Sequence, residues 1–375
     1  MASYNDDLLL DDSPHTEAKH RLYRYYLDAW LPILIQGRMP RVRIVDGFAG
    51  PGRYSITGRE GSPQVAIRAI LENDRLKPEL HGNQRILLQF IEQRPDRAEH
   101  LEQELAALPT KPIFWCEVRQ GDFASVWSAE MDALQASGAG LEPTLLFIDG
   151  FGYAGFPLQL LARAREYPSC EVLINFSWHS INQWAINDSS KHGALTQLYG
   201  DDRWRPGLEI ADPWVREQYF LARYQQALAE VGWRGTSFRM LNENNQTSYH
   251  LVFGTTNPKG MEVFKNAAWR VATDGLFQFS DLRNQAQSGF LRDMTEEIVV
   301  NELKVQLLSS YGHKQVPRAD LDSLSSWHPV ARSTHLTQAL RALLDEGAIV
   351  DVVPKPRRPG DFPQGSTIRF ADVVE

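Results

Sequence analysis

The sequence predicts an α/β fold: a Rossmann-like sheet of mainly parallel strands, followed by a small C-terminal winged helix-turn-helix domain. Three observations carry that expectation. Short apolar runs (VRIV, ILLQFI, TLLFI and EVLINF) alternate with amphipathic stretches, the pattern of a parallel sheet covered by helices on both faces. A glycine-rich turn, Asp46-Gly-Phe-Ala-Gly-Pro-Gly-Arg-Tyr54, follows the first run. After about Phe290 the rhythm changes to three helical segments and a ribbon.

In chain order, residues 1–14 read as a polar arm. Residues 15–36 carry Leu22, Tyr25, Tyr26, Trp30 and Leu34 at helical spacing. A strand over 42–45 ends in Asp46, and a helix follows over 63–73. Residues 86–91 form a strand ending in Glu92, and 95–108 a helix. Residues 114–118 form a strand leading into Gly121-Asp122-Phe123 and a further helix. A strand over 144–148 ends in Asp149, then come a helix over 158–166 and a strand over 171–176. Residues 213–231 are helical, 248–255 form the last strand of the sheet, and 260–271 are helical. In the C-terminal part, helices are expected over 295–310 with Thr295 as cap, over 317–324, and over 334–346, the last stopped by Gly347. Strands over 348–353 and 366–370 flank PKPRRPGDFPQG as a two-stranded wing. The expected domains are therefore 15–289 and 290–375, behind the 1–14 arm.

A chain of 375 residues suits two domains. With 43% apolar and 23% charged residues it can build a core, which excludes a disordered chain. No apolar run approaches eighteen residues, so no membrane span is expected, and the acidic start MASYNDDLLLDDSPH lacks the pattern of a signal peptide. Cys116 and Cys170 alone exclude a disulfide framework and a four-cysteine zinc site, and a reducing cytoplasm is the expected home. A net charge of −8 argues against non-specific coating of nucleic acid. Any such contact must use a local patch.

The strongest chemical signal is the glycine turn. Glycines let backbone approach a ligand closely, and ligands of open α/β sheets sit at the carboxyl ends of strands. A dinucleotide site would run from the turn directly into a helix whose N-terminus meets the pyrophosphate. Here a longer loop intervenes, which fits a nucleoside cofactor with a zwitterionic amino-acid end. The acids then fall in order. Asp46, with Phe48, Gly50, Gly52 and Tyr54, would hold the amino-acid end; Glu92 would pair with ribose hydroxyls; Asp122 would accept the adenine amine, with Phe123 on the adenine face. Any one of these acids alone reads equally well as an ordinary loop carboxylate.

DGFAGPGRY, with His15-x-x-x-Lys19-His20 upstream and FIDGFGYAGFP downstream, resembles the three-Cys-motif partner protein (TcmP) family. The likeness runs nearly the whole chain, including YHLVFGTTNPKGMEVFKNAAWRV and the C-terminal end. The first half is also similar to bacterial ribosomal RNA adenine-N6 methyltransferases, which carry a D-x-x-A-G-x-G-x-Y loop and an upstream Lys-His. The resemblance implies S-adenosylmethionine (SAM) as cofactor and suggests Lys19 as partner of its carboxylate, where the bland reading is an exposed helical lysine. It also implies association with a radical-SAM protein bearing the three cysteines, of which this chain is the partner.

At the fourth strand end, amino methyltransferases place an acidic or amide residue followed by Pro-Pro-aromatic. Asp149 matches the first position, as the group that positions or deprotonates the target amine, and Phe151 or Tyr153 supplies the stacking aromatic. Gly150 departs from the proline, and Asp149 reads alternatively as a turn cap. Beyond the fifth strand, Asn175-Phe-Ser-Trp-His-Ser-Ile-Asn-Gln-Trp184 reads either as a clamp on a flat substrate or as core packing. The C-terminal domain offers Arg332, Thr334 and His335 on its recognition helix and Lys355, Arg357 and Arg358 on its wing for nucleic acid. From Phe290 onward, however, ten Lys and Arg face twelve Asp and Glu, which suits a protein-docking module. Two function classes follow: a SAM-dependent methyltransferase acting on a DNA or RNA base, or a non-catalytic SAM-binding adaptor of a radical-SAM enzyme.

Overall fold

A computed structural model describes residues 14–53, 58–76, 84–109, 112–150, 152–272, 277–281 and 288–371. The elements are α1 (Pro14–Gln36), β1 (Arg41–Asp46), α2 (Ser62–Leu71), β2 (Arg85–Glu92), α3 (Pro95–Ala106), β3 (Phe114–Gln120), α4 (Phe123–Ser137), β4 (Thr144–Ile148), α5 (Leu158–Arg165), β5 (Cys170–Phe176), α6 (Trp178–Ser180), α7 (His192–Tyr199), α8 (Pro213–Glu230), β6 (Arg234–Leu241), β7 (Thr247–Thr255), α9 (Pro258–Val271), β8 (Gln278–Ser280), α10 (Ser288–Tyr311), β9 (Gln315–Pro317), α11 (Arg318–Trp327), α12 (Ser333–Asp345), β10 (Ile349–Val353) and β11 (Thr367–Phe370). The chain divides into two compact units, Met1–Gly260 with Phe279–Leu282, and Met261–Gln278 with Arg283–Glu375. The division falls inside α9, whereas the sequence placed it at 289/290, a position inside α10.

The first unit is built on an eight-stranded sheet of order β3-β2-β1-β4-β5-β7-β6-β8. The strands β1 to β5 pair in parallel, and β7 runs antiparallel to both β5 and β6. The sheet is therefore mostly parallel, not wholly so. Burial explains why the apolar runs read correctly: β4 is buried at every position and β2 at all but its first, as sheets covered on both faces require. Two strands escaped the sequence. RGTSFRML of β6 is polar and only partly buried, and β8 has three residues, so 248–255 is not the last strand. The core beneath α4, α5 and α8 joins Trp127, Phe156, Phe176, Tyr199, Trp204, Phe220 and Tyr224, all nearly or fully buried. On the α1 face, Tyr23 stacks on Phe147 with centroids 4.2 Å apart.

In the second unit, α10, α11 and α12 pack with a three-stranded sheet of order β10-β11-β9, antiparallel throughout. The expected ribbon thus gains a third strand, β9, too short to show in sequence. The first helix starts at Ser288, so Thr295 lies inside it and is not its cap. The core holds Leu303, Leu307, Leu321, Leu336, Leu340, Leu343 and Ile368, all fully buried. The ammonium of Lys265 on α9 is buried and donates to the carbonyls of Ser325 (2.7 Å), Ser326 (2.9 Å), His328 (3.2 Å) and Ala331 (2.5 Å). It thereby caps the carboxyl end of α11 and fixes the turn into α12. Burial lowers its pKa to about 8.

Candidate functional site

Strand register assembles the site. Asp46 pairs with Phe90 of β2 and Phe147 of β4, so Glu92 and Asp149 stand two residues further on, to either side. Glu92 pairs with Gln120 of β3, which puts Asp122 just beyond. The four acids named from sequence therefore share the carboxyl edge of one sheet, across β3-β2-β1-β4. The chain runs outward from β1 to β3 and then restarts at β4 on the other side, so the switch point lies between β1 and β4, where ligands of open α/β sheets bind.

The glycine turn is tied to both neighbours of β1. The amide of Gly47 donates to the carbonyl of Phe147 and that of Ala49 to the carbonyl of Ile91, each at 2.9 Å. Gly50 and Gly52 have φ of 66° and 83°, left-handed values that glycine tolerates best. Gln64, 1% exposed in the first turn of α2, has neither amide atom partnered among the described residues. Tyr54 and Phe151 lie outside the described residues.

Asp46 is fully buried. One carboxyl oxygen accepts from the amide of Phe48 at 3.2 Å, and the other finds no partner among the described residues. Burial pushes its pKa up to about 7; the neighbouring Ser62 hydroxyl, outside hydrogen-bonding geometry, the amide of Phe48 and the charge of Lys19 oppose that, while the charge of Asp149 adds to it. Lys19 is not the exposed helical lysine of the bland reading. It is 8% exposed, and its ammonium lies 2.5 Å from Oδ2 of Asp149 and 5.5 Å from the centroid of the Tyr249 ring. The amide nitrogen of Asn175 donates to Oδ1 of Asp149 at 2.9 Å. Asp149 is thus held from two sides by α1 and β5 and does not act as a simple turn cap. Beside Lys19, burial lowers the pKa of His20 to about 4, which leaves a neutral ring.

The remaining sequence-named residues divide. Glu92 is 8% exposed and accepts from the amide of Arg94 at 2.8 Å. Asp122 is the exposed N-cap of α4: it accepts from the amide of Ser125 at 2.9 Å, which holds its carboxyl below the ordinary range. Phe123 is buried, with its ring centroid 5.8 Å from that of Phe48. Tyr153 is also buried, within the core cluster, so it is a wall and not an open stacking platform. The departure at Gly150 has a steric cause. A Cβ there would lie 3.1 Å from the ring of Phe48, so Phe48 fills the space a proline would need. In the loop beyond β5, Trp178 is buried but Trp184 is 57% exposed. That overturns the core reading for Trp184 alone.

Sequence reasoning missed the partners that come from distant segments. Tyr249 donates to the carbonyl of His15 at 3.0 Å, and His15 pairs with Asp281 at 2.8 Å. On the opposite face Glu217 pairs with His250 (3.0 Å) and Arg239 (3.2 Å). Their only sequence signal was polar residues inside a β-rich segment, HLVFGT and its neighbours.

In the second unit the recognition-helix reading fails at two of three positions. His335 is fully buried, edge-on to Trp269 at 5.4 Å, and burial together with Arg332 lowers its pKa to about 4. Arg332 donates its guanidinium N–H to Glu296 and its backbone amide to Nδ1 of His335, and lies over Trp269 at 5.0 Å. Both residues hold the unit together. Thr334, Lys355, Arg357 and Arg358 are exposed.

No helix of the described residues is long and apolar enough to cross a membrane. Among the described residues no cluster of His, Cys, Asp and Glu could hold a metal ion. No protein-family model matches the chain, and no curated protein matches it. Solved structures similar to it include MNMC2 from Aquifex aeolicus, at 14% identity over 64% of this chain and 61% of that one, with a TM-score of 0.33. An O-methyltransferase from Bacillus cereus in complex with S-adenosylhomocysteine (SAH) is 12% identical over 66% and 83%, with a TM-score of 0.34. The mycolic acid cyclopropane synthase CmaA1, complexed with SAH and CTAB, is 11% identical over 71% and 78%, with a TM-score of 0.26. This chain spans 61% of the Aquifex protein, and its fold assignment rests on the strand order described above: an α/β sheet, mostly parallel, with its switch point beside a glycine turn.

Proposed function

We propose that this chain is a SAM-dependent methyltransferase acting on a nucleic-acid base, with a C-terminal winged-helix module. One observation carries the reading: a fully buried carboxyl, Asp46, keeps one oxygen without a partner among the described residues at the switch point of the sheet. A buried unsatisfied acceptor is costly unless a ligand completes it, and the ammonium of an amino-acid tail would do so. The glycine turn, Asp46 and Gln64 would hold that tail, and Glu92 would face the ribose hydroxyls. When bound, SAM supplies a methyl group on an activating sulfonium. Asp149, just beyond the end of the neighbouring strand β4, would position the accepting group. Calorimetry with SAM and SAH tests the reading: micromolar binding is expected, and a folded protein that binds neither would refute it.

A second reading has its own observation. Val350 and Val353 of β10 are 50% and 49% exposed, and Arg332 and His335 are consumed within their own unit. That favours a protein-docking C-terminal module and an adaptor to a three-cysteine radical-SAM partner. Transfer of labelled methyl from SAM to DNA or RNA by the isolated chain would decide against the adaptor.

A further inference from the structure

We infer that Asn175 is an amine-recognition residue: its Oδ1 and the carboxylate of Asp149 form a two-acceptor site for a primary amine. The inference rests on the methyl-transfer reading and names the accepting group. Amide flips are settled by partners. A carboxylate can only accept, so the Asn175 atom 2.9 Å from Asp149 Oδ1 is the nitrogen. The other amide atom is then a carbonyl oxygen. It is inaccessible to solvent and finds no donor among the described residues. Both amide atoms sit on one carbon, so the orphan acceptor lies beside the carboxylate.

The count of donors decides the class of acceptor. A hydroxyl brings one hydrogen and would leave one of the two acceptors unpaired, whereas a primary amine brings two. Lys19 already serves Oδ2 of Asp149, so the carboxylate is fixed in orientation before any substrate arrives. Nearby, Phe48 lies against Gly150 and Gly155 and meets Phe156 edge-on at 6.3 Å. An apolar aromatic wall next to two acceptors suits a planar ring bearing an exocyclic amine.

The test separates this inference from the cofactor reading. Sinefungin carries a charged amine where SAM carries its sulfonium methyl, and SAH carries nothing there. The folded full chain should bind sinefungin about tenfold more tightly than SAH, because a charge-assisted bond to a buried acceptor is gained. Asn175→Leu should abolish most of that preference while SAH affinity stays within about threefold. If Asn175→Leu does not fold, Asn175→Ala removes the acceptor with less bulk and should behave as described for the leucine. Variants lacking the acceptor that bind the two nucleosides in the parent's ratio overturn the inference and leave the cofactor reading standing. A folded parent that binds neither nucleoside overturns both.

Discussion

Two buried carboxyls in the first unit differ in one respect. Glu171, at the amino end of β5, is completed by its own chain: Tyr26 donates to one oxygen, Thr255 donates to the other at 2.6 Å, and Trp30 contributes a further bond. Asp46, at the carboxyl end of β1, is just as buried but has one oxygen unpartnered among the described residues. Burial raises the pKa of both. The same desolvation that is offset internally at one edge of the sheet is left open at the other. The finished acid supports the fold, and the unfinished one keeps an acceptor open at the switch point.

The largest effects should come at the finished end. Glu171→Ala strands two buried hydroxyls and leaves a cavity, so unfolding should cost about 3–5 kcal/mol less. Gly260→Ala should do comparable harm, since its Cβ would meet the carboxylate oxygen of Glu171 within bonding range, at 1.8 Å. Urea denaturation measures both, and a loss below about 1 kcal/mol in either would mean that Glu171 is not a structural keystone.

At the open end the expected losses are functional. Asp149→Ala should lower methyl transfer about 100-fold or more, the range of a lost acid–base or positioning group, while SAH binding changes by under about 0.5 kcal/mol. The rate is read by label transfer from SAM and the binding by calorimetry. Equal losses in both would place Asp149 on the cofactor and not on the acceptor.

Asp46→Asn should weaken SAH binding by about 1–3 kcal/mol, yet its effect on stability should depend on pH in the opposite sense. An unfolded aspartate titrates at its ordinary value, 3.8, and Asp46 in the fold near 7. Between those values the folded state keeps a proton that the unfolded state has lost, so the contribution of Asp46 to stability falls as pH rises through the window. The asparagine does not titrate. Its melting temperature relative to the parent should therefore rise between pH 5 and pH 8, and a gap that does not move with pH would show that Asp46 is ionised throughout.

How legible all this was in the sequence follows the same division. The strands that are buried on both faces announced themselves as apolar runs, and Asp46, Glu92 and Asp149 were found because each ends such a run, whereas Asp122 follows β3, which has no fully buried position. What the sequence did not show is pairing across distance. Lys19 and Asp149 are separated by most of the parallel sheet, and nothing local to either marks the other. The polar strand β6 and the three-residue β8 and β9 lack enough apolar positions to display a period. Arg332 and His335 looked like recognition residues because sequence spacing on a helix does not reveal which face is covered. Trp269, more than sixty residues earlier, covers theirs.

The smallest effect on stability, and the sharpest contrast with Arg332 and His335, belongs to Lys355, Arg357 and Arg358. These lie on an exposed loop between prolines that fix φ and discourage helix before them. Among the described residues no ion pair uses their charge, so replacing all three by Ala should change stability by under about 0.5 kcal/mol, whereas Arg332→Ala removes the partner of Glu296 and the cation over Trp269 and should cost about 1–3 kcal/mol. If the loop follows a phosphate backbone, each lost contact retains counterions that binding would otherwise release. The slope of log affinity against log salt should then flatten by about three at most, for DNA or RNA of any sequence. SAH affinity should be unaffected, because no group of the candidate site belongs to that unit. An unchanged slope in a triple variant of unchanged stability would remove the loop from nucleic-acid binding and leave the exposed valines of β10 as the surface that a protein partner covers.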